Sequence, residues 1–519
     1  MKQIKLFISI LITVILVSSC KKDFLTLYPQ GNLNEGNFYK TTTDFKQALV
    51  GAYVPLRDVS NMAYNMDEIR ADNSRYDYNA KDRGNALAEN LTNFLDAADN
   101  PLLLTRYQAD YNGISRTNVI LDRIQTISFK MADADKNQII GEAKGLRAYY
   151  YFDLVKNYGG VPLSINEVTK PADAYLARAT EDDTYKQIIA DLTDAYALLK
   201  APTFSGAETG HMTKGTIATM FGAVYLQRKN HLSAIPYLRE VIAMGYSLYP
   251  NYRDIFNPSN KNGNKEIILD VQYQSGTTGQ QSDFIYRFTP LTTNTMNILG
   301  VSFNNTVGGW NVPTDDLVDL FDIKDKRLDA SVGIVEGTID ANTNFNPTRV
   351  ASIVNYVAAP GTVAKYFAKK YYYTPYPNLY RNTDQNWPLY RLSDVKLMLA
   401  ECLNETDKQG EALIILNEIR TRAFGAGLGQ YTTSDQVTLR GLIAKERRFE
   451  LCFENKRYQD LIRTGQAISV LTAYGAKMKL KYGYLLPQTY NITQNRLLYA
   501  IPLREMDLNS KLVQNPGYN

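Results

Sequence analysis

The chain has 519 residues, with 57 Lys+Arg against 53 Asp+Glu, two histidines, three cysteines and 38 tyrosines. A near-neutral balance without a basic cluster argues against a nucleic-acid partner. His211 and His231 are too few for a His-rich metal site or His-dependent nucleophilic catalysis, and the length allows two or three domains.

Lys2 and Lys5 give a basic start, followed by an apolar run from Leu6 to Val17. A spanning helix needs roughly twenty residues, so this shorter run fits the apolar region of a secretory signal. Leu16-Val17-Ser18-Ser19-Cys20 reads as a bacterial lipobox, with residues 1–19 cleaved and Cys20 lipidated. Several acyl chains on one cysteine would anchor stably, whereas one chain binds only marginally. Loss of Lys2 and Lys5 leaves 55 Lys+Arg against 53 Asp+Glu, a balance that favours no particular partner. Cys402 and Cys452 lie in apolar helical patterns and read as small core residues rather than a disulfide pair.

Periodicity predicts helices over Thr42 to Asp58, Tyr107 to Ile127, Lys136 to Tyr158, Asp182 to Lys200 and Val437 to Glu454. Between them, Ile217, Met220, Phe221 and Val224 form one buried stripe behind Thr213, a predicted N-cap. After the polar break Arg228-Lys229-Asn230, Ala234, Leu238, Val241 and Ile242 form another. This unit, Thr213 to Gly245, has the roughly 34-residue length of a tetratricopeptide repeat. A second hairpin pairs Val395, Met398, Leu399 and Cys402 with Ala412, Ile415, Leu416, Ile419 and Ala423. Neither hairpin buries its stripe alone, so stacked pairs with a shared core are expected.

From Tyr246 to Pro388 the texture changes to Gly, Asn, Thr, Pro and Tyr with short apolar runs such as Ile267-Ile268-Leu269. A similar polar stretch runs from Asp67 to Asn100. Binding residues concentrate on loops held by a rigid scaffold, and tyrosine offers a flat apolar face with a polar tip for stacking on sugar rings. The first stretch carries Asp72, Asn73, Arg75, Tyr76 and Tyr78. The second carries Trp310 and Asn311 behind Gly308-Gly309. Asn73, Arg75, Tyr76, Tyr78, Trp310 and Asn311 are the expected ligand-binding set. Trp387, the other tryptophan, abuts a scaffold motif and reads as structure.

Seven segments in order resemble the SusD/RagB family. Phe24-Leu25, Pro29 and Asn37-Phe38-Tyr39 resemble its opening. Glu142 to Leu154 with Tyr158-Gly159-Gly160-Val161-Pro162-Leu163 is among its most characteristic stretches. Tyr390 to Glu401, Asn417 to Ala423, Glu446 to Leu451, Ile501 to Glu505 and Gln514 to Tyr518 follow. Lys396 departs from the pattern by replacing an apolar residue and is expected to face solvent.

The resemblance implies a mainly α fold with about four tetratricopeptide-like helix pairs as scaffold and an irregular, loop-rich ligand-binding region with short strands. It implies a signal peptide over 1–19, an N-terminal region over 20–250 and a C-terminal region over 251–519, the last with irregular loops at 251–388 and scaffold helices at 390–465. It also implies an outer-membrane lipoprotein, facing the cell exterior, that binds an oligosaccharide or polysaccharide. That ligand passes to a SusC-like TonB-dependent transporter. Some members take peptides. No cofactor or metal is expected.

One motif invites an enzymatic reading. Glu446 falls within the apolar stripe of Leu439, Leu442, Phe449 and Phe453, and a carboxylate there suits a glycosidase acid. Buried carboxylates are usually paired, however, and Arg420, Arg422, Arg447, Arg448 and Arg457 are at hand, so structural ion pairing is the expectation. Arg147, Asp153 and the run Tyr149-Tyr150-Tyr151 are likewise expected to pack the scaffold.

Overall fold

The computed structural model describes residues 38–77, 86–292, 294–305 and 307–518. Cys20 and Tyr78 lie outside the described residues. The fold is mostly helical. Helix α1 (Thr42–Tyr53) ends where Pro55 opens α2 (Pro55–Ala63), so the single helix expected over Thr42 to Asp58 is two. Proline lacks the N–H that would continue the ladder and fits the first turn of a new helix.

Four helix pairs follow one another. Helix α1 packs on α3 (Pro101–Arg123), and α4 (Asp133–Tyr158) on α5 (Glu181–Leu198). Helix α6 (Lys214–Gln227) packs on α7 (His231–Ala243), and α8 (Leu392–Asn404) on α9 (Gln409–Phe424). The pairs touch through α3 with α4, α5 with α6 and α7 with α8, and α10 (Gln436–Glu450) closes on α8. The longer irregular stretch, 244–391, is thus inserted between the third and fourth pairs, while the shorter one lies between α2 and α3. Thr213 caps α6, its Oγ1 accepting from Thr216 N while Thr216 Oγ1 accepts from Thr213 N. Ile217, Val224 and Leu238 are fully buried, each stabilising by about 1.5–3 kcal/mol. Gly222 permits the close approach, since a Cβ there would lie 2.3 Å from Leu238 Cδ2.

Several tyrosines pack this scaffold. Tyr150, Tyr151 and Tyr158 are buried and donate to the carbonyls of Ala52, Ser164 and Leu103 at 2.7, 2.7 and 2.9 Å. Arg147 pairs with Asp191 and Asp153 with Arg106. Cys402 and Cys452 are free and buried. Lys396 corrects an expectation: it is buried, not solvent-facing, because its stem packs at the α8–α9 interface while Nζ reaches Glu418.

Short strands shape the insertion. β4 (Val332–Ile339) lies between β5 (Phe345–Ser352) and β6 (Val363–Ala368), all antiparallel. β2 (Ile267–Val271) pairs antiparallel with β7 (Trp387–Arg391), which leads directly into α8. A buried ion network welds this junction to α10. Arg391 donates to Glu454 at 2.8 Å, to Glu450 at 2.6 Å and to Glu266 at 3.0 Å. Burial would raise the Glu450 carboxyl, but the guanidiniums of Arg422, Arg391 and Arg327 reverse this and hold it well below the usual range.

Candidate functional site

The two polar stretches meet. β1 (Ser74–Arg75) pairs antiparallel with β3 (Val312–Pro313), matching Ser74 with Pro313 and Arg75 with Val312. Asp77 N donates to Gly309 O at 2.7 Å and Thr314 N to Asn73 O at 3.0 Å, extending the seam on both sides. The backbone of Gly309-Trp310 is pinned on its other edge, where Gly309 N donates to Thr289 O and Trp310 N to Arg287 O. Gly308 allows that approach: a Cβ would lie 2.7 Å from the Leu291 backbone. Gly309 adopts φ +75, which glycine reaches without steric cost.

Trp310 is the partly exposed centre of this seam, with Tyr76 and Tyr64 behind it at ring separations of 6.3 and 6.1 Å. Burial pushes the Tyr64 hydroxyl up to about 12, so it stays a neutral hydrogen-bonding group. The Arg287 guanidinium lies over the Trp310 ring, 4.6 Å from its centroid. Arg287 is held by Asp283, to which Nε and Nη2 donate at 3.0 and 2.8 Å. Arg381 grips the same carboxylate. Beyond it the exposed Tyr380 packs edge-on against Phe303 at 5.3 Å. The opposite flank continues through Arg75, whose guanidinium sits 3.9 Å over the Tyr482 ring and donates to Tyr484 at 2.7 Å. The result is a band of aromatic faces and guanidiniums, which suits stacking plus directed hydrogen bonding.

The expected set therefore divides. Tyr76 and Trp310 come together, and Arg75 flanks them. Asn73 and Asn311 face inward, each at most 1 % exposed. The Asn73 amide is engaged by Arg448 and Glu68, so it fixes the loop rather than presenting itself to a ligand. Asn311 sits at φ +54 with its amide buried and without a hydrogen-bond partner. Sequence reasoning missed Arg287, Arg381 and Tyr380, which carry no local motif. Trp387 is buried at 2 % exposure and stacks on Tyr371.

Two other places were candidates for chemistry. Glu446 is fully buried and paired with Arg327 at 2.7 Å and Arg420 at 2.8 Å. A cavity within the scaffold is lined by Arg106, Asp153, Asp394, Arg447, Glu454 and Lys456, which balance one another's charge. Among the described residues, no three His, Cys, Asp or Glu are grouped to hold a metal, and no helix is long and apolar enough to cross a membrane.

A family model described as "SusD family" matches residues 265–518, and one described as "Starch-binding associating with outer membrane" matches residues 23–226. A SusD-like protein of Formosa agariphila is 26 % identical over 98 % of both chains. A SusD-like protein of Bacteroides ovatus is 25 % identical over 87 % of this chain and 80 % of its own. Among solved structures, a laminarin binding SusD-like protein superposes with a TM-score of 0.72 at 26 % identity, covering 92 % of this chain and all of that one. A SusD homologue from Bacteroides thetaiotaomicron reaches 0.75 at 21 % identity, covering 94 % and 100 %, a likeness of fold alone. With the two family models lying in chain order across most of its length, the chain belongs to the SusD/RagB family.

Proposed function

We propose that this protein is a surface lipoprotein, anchored through Cys20, that captures a glycan and delivers it to a SusC-like TonB-dependent transporter without transforming it. The observation carrying this reading is the Trp310 band. Two loops about 240 residues apart in sequence are joined by β1–β3, which sets Tyr76 against the Trp310 ring with Arg75 beside it in the same seam. Of the expected residues, Trp310 is the platform the ligand stacks on, Tyr76 backs its ring and Arg75 flanks it, while Asn73 and Asn311 hold the loops that present them. Tyr78, next in sequence to this face, belongs to the same proposed set. The laminarin binding relative, similar over nearly the whole chain, supports a glycan as the ligand class. Binding without catalysis fits the pairing of Glu446, whose carboxylate is neutralised inside the scaffold.

The test is affinity electrophoresis of the intact protein through gels carrying a panel of polysaccharides, beside its Trp310→Ala variant. The wild type is expected to be retarded by at least one polysaccharide and the variant to migrate freely. Retention by none, with binding to peptides instead, would contradict the glycan reading. Cleavage of a retained polysaccharide would contradict the claim of binding alone.

A further inference from the structure

The band around Trp310 is richer in cations than in carboxylates. Arg287 and Arg381 share one partner, Asp283, so two guanidiniums meet a single negative charge beside the exposed ring. Asp77 is likewise shared, by Arg75 at 3.7 Å and Lys365 at 3.6 Å. Glu89 is a further acid at the Tyr484 end, so among the described residues Arg75, Arg287, Lys365 and Arg381 face Asp77, Asp283 and Glu89. The Arg287 and Arg381 side chains keep 24 % and 18 % exposure, so a ligand on Trp310 reaches them. The Nε of Arg381 is buried with no acceptor.

From this juxtaposition we infer that the glycan taken by the Trp310 face is anionic, bearing carboxylate or sulfate groups that the Arg287–Asp283–Arg381 cluster receives. The inference rests on the glycan-binding reading above and adds the ligand's charge to it. The physical reason is a difference in desolvation. A sugar ring on Trp310 covers Arg287, which lies over the same indole. A neutral ring would strip water from a guanidinium that shares the Asp283 carboxylate with Arg381, which is costly. A ligand carboxylate or sulfate supplies the second counter-charge and matches the planar donor fork.

The experiment is isothermal titration of the full chain with three probes: laminarin (neutral), polygalacturonate (carboxylate) and dextran sulfate (sulfate). Each is titrated at low salt and at about 0.5 M NaCl, where screening shortens to a few ångströms. We expect one anionic probe to bind at least about tenfold tighter than laminarin at low salt and to lose most of that advantage at high salt. Trp310→Ala should abolish this binding, which separates it from general attraction to polyanions. Arg287→Gln and Arg381→Gln should each weaken it about tenfold to a hundredfold, whereas laminarin affinity should not fall and should rise in Arg287→Gln, where a neutral ring no longer desolvates a guanidinium. Whether the tighter probe is polygalacturonate or dextran sulfate identifies the group received. Laminarin binding as tightly as either polyanion, through Trp310 and insensitive to salt, would overturn the inference and leave the glycan reading intact. Binding of none of the three would overturn both.

Discussion

Arg448 Nε donates to Asn73 Oδ1 at 2.7 Å, joining scaffold helix α10 to the candidate loop across 375 residues of chain. Both side chains are buried. Arg448 Nη2 also donates to the Asp72 carbonyl at 3.0 Å, and Arg457 clasps the Asp72 carboxylate at 2.7 and 2.9 Å. The loop that carries Arg75 and Tyr76 is thus held from below by the fourth helix pair's neighbour.

Replacing Asn73 by Ala leaves the Arg448 Nε without its acceptor, a loss of about 1–3 kcal/mol for a buried donor. Urea denaturation should show that loss. Hydrogen exchange over residues 72–77 should accelerate more than exchange over α8. An unchanged midpoint would mean that water replaces the amide at no cost.

The network around Glu450 should be far less tolerant. Glu450→Gln removes the charge facing Arg391, Arg422 and Arg327, and breaking a buried pair costs about 3–5 kcal/mol. Glu446→Gln belongs to the same network, so it should lower stability while the surviving folded protein keeps its glycan affinity. Equal stability with lost affinity would instead make Glu446 part of the site.

A pH dependence is expected at the segment before α6. His211 Nδ1 lies 2.8 Å from Glu142 Oε2, Tyr53 donates to the same oxygen, and Met212 N donates to Tyr53 at 2.8 Å. The hydrogen bond to Glu142 raises His211 above its ordinary 6.5, against the opposing effect of burial. With the folded value above the unfolded one, the stabilisation is complete below about pH 6.5 and fades as pH rises through the folded value. Hydrogen exchange over 201–213, corrected for intrinsic rates, should therefore be slower at pH 6 than at pH 8. His211→Phe should erase the difference.

Gly308 and Gly441 form a matched pair. A Cβ at Gly308 would meet the Leu291 backbone at 2.7 Å, whereas one at Gly441 meets nothing within 4 Å. Gly308→Ala should cost about 1–3 kcal/mol and weaken ligand binding by displacing Trp310. Gly441→Ala, within α10, should stabilise by about 0.5–1 kcal/mol and leave binding alone. Thermal melts with and without ligand separate the two effects.

The scaffold was readable because its signals are local. The stripe Ile217, Met220, Phe221, Val224 and the cap Thr213 sit within a dozen residues, and all five are buried at α6. The site was readable only in part. Trp310 and Tyr76 stood out by residue type and loop setting, but a two-residue pairing of Arg75 with Val312 leaves no trace in local periodicity. Arg287 and Arg381 gain their meaning from sharing Asp283, a relation that spans 98 residues between Arg381 and its partner. Lys396 misled for a related reason: a long stem can be buried while its ammonium finds Glu418 on the neighbouring helix.

The most direct test uses the protein's two tryptophans. Trp387 is buried and Trp310 is partly exposed, so acrylamide quenches chiefly Trp310. Adding a glycan that binds should protect this fluorescence to saturation, with a midpoint matching the calorimetric affinity. Full calorimetric binding with undiminished quenching of Trp310 would contradict the account, because the ligand would then sit somewhere other than on its ring.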